Sequence, residues 1–182
     1  MSNGTREPHA LPFTLSADCH SVEDVDNICT MFFSTVHTWL PVLSESRLRN
    51  ELSHLTAANK SDVRLLVLCM SVFTESAGWA TQGSVENVAY NTAKACCSMA
   101  EASSHLSLRL VQSLMLLAVY EMAHDIHPAA YLTIGRVARL ATIMRLYCTW
   151  QAQEEQVGSM HHPWSLREER RRACWAIFIL DR

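Results

Sequence analysis

The chain has 182 residues, 49% of them hydrophobic and 18% charged, with only five glycines and five prolines. That length holds one domain around one core, and the apolar content excludes a chain left disordered by its composition. A net charge of −3 gives no global reason to bind nucleic acid, although residues 1–134 carry 7 basic and 13 acidic side chains while 135–182 carry 8 and 5.

Residues 1–20 read as a polar, flexible lead-in, and 21–182 as one helical domain. Ser21 caps a first helix with Glu23 and Asp24 in its opening turn and a stripe of Val25, Ile28, Phe32, Val36 and Trp39, ended by Pro41. Ser44 opens a shorter segment with Leu48, Leu52 and Leu55 on one side. Ser61-Asp62 opens VRLLVLCMSVF, apolar nearly all round and therefore central. Gly78 and Gly83 bracket a turn. From Ser84 a small-residue helix runs to about Ser103, with Val85, Val88, Ala89, Ala95, Cys96 and Met99 on its stripe. Ser107 starts LRLVQSLMLLAVYEMA, again almost wholly buried. Pro128 suits the first turn of a helix through about Tyr147, and 148–164 lose periodicity. Ser165-Leu-Arg-Glu168 has the spacing of a capping box and opens the last helix, whose buried stripe is read as Trp175, Phe178 and Ile179. The expected fold is all-α, an irregular bundle of about seven helices with no strand and no fixed-period repeat.

Chemical motifs are scarce. The seven cysteines are scattered without a CxxC pair and read as reduced, buried thiols. No signal pattern opens the chain, and LLVLCM at 65–70 is too short to span a membrane, so a soluble intracellular protein is expected. Glu121 and His124 form one Glu-x-x-His, but a di-metal bundle needs a second. His161-His162 lacks further ligands, and adjacent Cys96 and Cys97 point about 100° apart on a helix, so no metal site is assigned. Without a phosphate loop or a nucleophile elbow, the chain reads as no enzyme.

Arginine outnumbers lysine 13 to 2, which favours bidentate pairing. Arg170, Arg171 and Arg172 follow Glu168 and Glu169 at spacings that allow ion pairs within the helix. The triplet is read as a structural network, since a groove-reading helix would spread its cations along one side.

GRVARLATIMRLY (135–147), followed by EERRRACWAIFILDR (168–182), resembles the fungal-specific transcription factor domain, the middle homology region downstream of a binuclear zinc-cluster module. Gly135, Arg139 and Ala141 match its Gly-x-Ala-x-Arg-x-Ala helix. Glu169, Arg170, Arg171, Arg172, Trp175, Phe178, Asp181 and Arg182 match its later Glu-x-Arg-Arg-Arg-x-Trp-Trp helix and Asp-Arg pair. FFSTVHTWLPVL (32–43) and LVQSLMLLAVYEMA (110–123) are similar to its opening and central segments. Val137 replaces an alanine, Arg145 and Tyr147 replace the glycine and histidine of Leu-Gly-Leu-His, and Cys174 stands beside Trp175. The six-cysteine cluster is not seen, and the resemblance implies an incomplete domain that stops short of further helices.

The resemblance also implies a nuclear regulatory domain that senses an effector or partner, self-associates, and reaches DNA only through another module; zinc would belong to that module, and this chain takes no cofactor. The other readings are an interaction scaffold or inactive remnant, and a helical enzyme completed outside the chain. Arg139 is expected to pair with Glu168 or Glu169 and tie the two motif helices together.

Overall fold

The computed structural model describes residues 22–56, 59–76, 88–103, 106–147 and 164–182. The lead-in, the Gly78–Gly83 turn, the Ser84 start and the 148–163 loop lie outside them. Among the described residues seven α-helices follow in order: α1 Val22–Ser34, α2 Glu45–Ser53, α3 Lys60–Ser76, α4 Val88–Ala102, α5 Leu108–Ala123, α6 Ala129–Ile143 and α7 Trp164–Leu180. A 3-10 turn, Val36–Thr38, follows α1. Among the described residues there is no strand, and the fold is all-α as expected.

The bundle is built around α5. Ser107 is extended and its hydroxyl accepts the Leu110 amide at 3.1 Å, an N-cap that fixes where the helix starts. Every residue from Leu108 to Glu121 is buried. Helices α3, α4, α6 and α7 all pack on it, and α1 packs on α3. Each large apolar side chain sealed this way contributes roughly 1.5–3 kcal/mol.

Helices α5 and α6 end alike. Past α5, Asp125 has φ 55°, and the Ile126 amide reaches back to Glu121 O at 2.9 Å. Past α6, Arg145 has φ 52°; the Leu146 amide donates to Ala141 O at 2.9 Å and the Arg145 amide to Thr142 O at 3.0 Å. Both are left-handed caps, the conformation glycine adopts at least cost. Arg145 therefore occupies, in a left-handed turn, the position at which the resemblance noted above implies the glycine of Leu-Gly-Leu-His.

Several stripes lie differently from the sequence reading. Helix α1 stops at Ser34, before Pro41, because the Ser34 and Thr35 hydroxyls both bond back to Met31 O. Trp39 and Leu55 are exposed. On α4, Tyr90, Ala93, Cys96, Cys97 and Ala100 face inward, while Val88 and Met99 face out. The helix is turned so that the Tyr90 hydroxyl reaches Glu121.

The largest departure is on α7. Trp175, Phe178 and Ile179 are 57%, 47% and 69% exposed, and the inward face is Glu169, Ala173, Ala176 and Ile177. The two alanines let α7 lie close to α5 and α6, and Glu169 finds cationic partners inside. The helix also begins at Trp164, before Ser165, and the Glu168 carboxylate turns to Arg171 and Arg172.

Candidate functional site

Glu169 is the centre of a buried polar knot. Its side chain is 2% exposed. Oε1 accepts the Ser44 amide at 2.6 Å, and Oε2 accepts Arg47 Nη1 at 2.5 Å. Arg109, itself buried, donates Nη1 to Glu169 Oε1 at 3.3 Å and to Gln112 Oε1 at 2.9 Å, and Nε to Glu51 Oε2 at 2.9 Å. Arg47 Nε closes the ring on Glu51 Oε1 at 3.0 Å. Gln112 Nε2 donates to Val42 O at 2.8 Å. Two guanidiniums thus share two carboxylates across α2, α5 and α7. The Ser44 amide precedes α2, so Glu169 also sits at that helix's positive end.

The predicted motif residues divide around this knot. Glu168 lies on the rim: Arg171 grips it with Nε at 2.8 Å and Nη2 at 2.7 Å, and Arg172 Nε joins at 2.8 Å. Hydrogen bonds from Arg171 and then Arg172 hold the Glu168 carboxyl down at about 2. Arg172 Nη1 also reaches Pro41 O at 3.4 Å. Arg170 is half-buried, and Asp181 is exposed. The Arg182 guanidinium stands 4.3 Å over the Phe178 ring. The structure therefore brings Glu168, Glu169, Arg171 and Arg172 to one end of α7 and leaves Trp175, Asp181 and Arg182 on its outer side.

Arg139 does not join them. It is exposed, both motif glutamates are held by other arginines, and among the described residues no ion pair ties it to α7. The expected Arg139 tie is replaced by Arg47 and Arg109. Gly135 is not sterically required either, since an added Cβ would meet only the flexible end of Arg139, at 3.5 Å.

Sequence reasoning missed Ser44, Arg47, Glu51, Arg109 and Gln112. The available signal was Arg109 and Gln112 inside an otherwise apolar helix, where buried polar groups must find partners.

Beside the knot lies a cavity of about 550 Å³, with His37, Ser44, Arg49, Trp164 and Arg172 among its lining residues. Burial, and next the Arg172 guanidinium, hold His37 below its ordinary value.

A second polar cluster is simpler. Glu121 Oε1 accepts the Tyr90 hydroxyl at 2.6 Å and Lys94 Nζ at 2.7 Å. His124 stacks on Tyr120 at 4.0 Å, its Nδ1 lying 2.9 Å from Tyr120 O. The Glu-x-x-His pair is thus engaged within the protein. Among the described residues no three His, Cys, Asp or Glu side chains converge on a metal position, and Cys29, Cys69, Cys96 and Cys97 are buried on three different helices. These residues do not fit a zinc cluster. No helix among them is long and apolar enough to cross a membrane.

The sequence model described as the fungal specific transcription factor domain matches residues 29–182. The chain is 35% identical, over 169 residues, to transcription factor BOA15 of Botryotinia fuckeliana (strain B05.10), covering 92% of this chain and 90% of that protein. It is 28% identical over 185 residues to the pigment biosynthesis transcriptional activator pigB of Monascus ruber, and 26% identical over 187 to the depudecin biosynthesis cluster-specific transcription activator DEP6 of Fusarium langsethiae. Those matches cover 93% and 96% of this chain but only 31% and 29% of the two activators. No solved structure matches the chain. These relatives are regulators of transcription, not enzymes. The match over 29–182 makes the chain a member of the fungal specific transcription factor domain family.

Proposed function

We propose that this chain is the regulatory and interaction domain of a fungal zinc-cluster-type transcription factor, acting in the nucleus through an effector or partner and without touching DNA itself. The observation that carries the reading is the pairing of its arginines. Arg47, Arg109, Arg171 and Arg172 all bind carboxylates of the chain itself, so the forks that would take phosphates are occupied. The cavity beside Glu169 has the volume of small-molecule sites and offers an effector a place. In this reading zinc belongs to a six-cysteine module in another part of the protein or in a partner, and this chain takes no cofactor.

The test has two arms. Fused to a heterologous DNA-binding module, the chain should change reporter output in fungal nuclei. Alone, it should show no specific duplex-DNA binding, whereas a phosphate-contacting protein binds with an affinity that falls steeply with salt. A fusion with no effect on the reporter, or salt-sensitive specific DNA binding by the chain alone, would refute the reading.

A further inference from the structure

We propose that the cavity between the 3-10 turn, the start of α2 and the start of α7 binds an uncharged, flat, hydroxyl-bearing aromatic molecule; this names the effector class of the regulatory reading and rests on that reading. The charged groups on the cavity wall are already matched. Arg49 gives Nη1 to Asp26 at 2.5 Å and Nε to Glu45 at 2.9 Å. Arg171 and Arg172 hold Glu168, and Arg47 and Arg109 hold Glu169. Glu51, which Arg47 and Arg109 also bind, completes the network. Five guanidiniums thus face five carboxylates, and the network has no charge left over.

The neutral groups on the same wall are uncommitted. Trp164 is 71% exposed, and among the described residues neither its indole nor the Ser165 hydroxyl makes a hydrogen bond. The Ser44 and Ser46 hydroxyls meet only each other, at 3.3 Å. His37 Nδ1 is sealed without a partner, so a half-turn of the ring gives up no hydrogen bond at that nitrogen and presents it to a ligand. This division selects the occupant. An ionised ligand would enter without a counter-charge, or would have to part a carboxylate from its guanidinium, and either costs desolvation that nothing returns. A hydroxyl needs neither, since it donates to the imidazole or accepts from a serine. The indole and the imidazole offer flat faces to a ring, and Leu43 lends an apolar patch. The cavity, about 550 Å³, has the volume of a small-molecule site. An occupant touching these groups clamps the start of α2 to the start of α7, an arrangement present only in the folded chain, so binding also stabilises it.

The test is titration calorimetry of the whole chain with three probes built on one ring system: a dihydroxybiphenyl, a biphenyl sulfonate and an aminomethyl biphenyl. The uncharged diol should bind at least about tenfold tighter than the anion or the cation. Trp164→Ala, at an exposed position, should weaken the diol about tenfold with an unchanged circular dichroism spectrum. Ser165→Ala and His37→Phe should each weaken it several-fold, the loss of one neutral hydrogen bond. Trp175→Ala, on the outer side of α7, should leave its affinity unchanged and so separates the cavity from adsorption to any exposed indole. Tighter binding of the sulfonate or the amine, no binding of the diol at millimolar concentration, or diol affinity that Trp164→Ala and Ser165→Ala both leave intact would overturn the proposal. The two readings fail apart. Reporter regulation by the fused chain without diol binding removes the ligand class and leaves the regulatory reading standing. Diol binding lost in Trp164→Ala, with a fusion that leaves the reporter unmoved, keeps the site and removes the regulatory reading.

Discussion

Glu169 and Glu121 are both sealed inside the bundle, and they are held in different ways. Glu169 takes donors from three separate places: the Ser44 amide, Arg47 on α2 and Arg109 on α5, so that both of its oxygens are engaged. Glu121 takes both of its donors, Tyr90 and Lys94, from α4 and on one oxygen, while Oε2 has no protein partner. Lys94 is 35% exposed, whereas Arg109 is 7% exposed. The first carboxylate fixes how distant segments meet; the second fastens one helix to its neighbour at a partly wet edge. A buried charge with several remote partners specifies tertiary arrangement, and one with a single local set adds mainly to a pairwise contact.

The contrast can be broken at either end. Glu169→Ala should cost the most, about 3–5 kcal/mol, because it removes the buried carboxylate that Arg47 and Arg109 share and leaves the two guanidiniums with Glu51 as their one common counter-charge; denaturant melts with an unchanged m-value would measure it. Lys94→Ala should cost less, about 1–3 kcal/mol, the desolvation cost of a buried group left under-satisfied, since the Tyr90 hydroxyl still reaches Glu121. If the two losses were equal, the distinction between the sites would disappear. At the turn closing α6, Arg145→Gly should stabilise the fold by about 1 kcal/mol by relieving a left-handed side-chain residue, read as a raised melting temperature.

The rim residue Glu168 sharpens the comparison through pH. Its folded value of about 2 lies below the ordinary 4.5. Its contribution should therefore be fully present above about pH 4.5, the range where the unfolded group is also ionised, and fade as pH falls through about 2. Solvent screening keeps it under about 1 kcal/mol, so Glu168→Gln should remove only that small slope from the acid limb of a stability–pH curve. Smallest of all, Arg139→Ala should change stability by less than about 0.5 kcal/mol. A loss of several kcal/mol would restore the tie to α7 that the sequence suggested.

Much of the bundle was legible from local pattern. Ser107 and the largely apolar run after it locate α5 to the residue, because cap and pattern agree there. The ion pairs of Glu168 with Arg171 and Arg172 follow from spacings of three and four. The Glu169 knot was not legible, since its partners stand 60 and 122 residues away and no local period encodes them. The face of α7 was read backwards for a related reason. Bulk apolarity favoured Trp175, Phe178 and Ile179 as its core. Close packing through Ala173 and Ala176, with a charge compensated from afar, put the opposite side inward.

Since α5 has no solvent-facing side from Leu108 to Glu121, its amides lack a local path to water. In deuterium exchange they should be the slowest of the molecule and report the opening of the whole domain, while the termini of α1 and α7 exchange through fraying. A ligand that tightened the bundle as a whole would register first as added protection along that one central rod, wherever it bound.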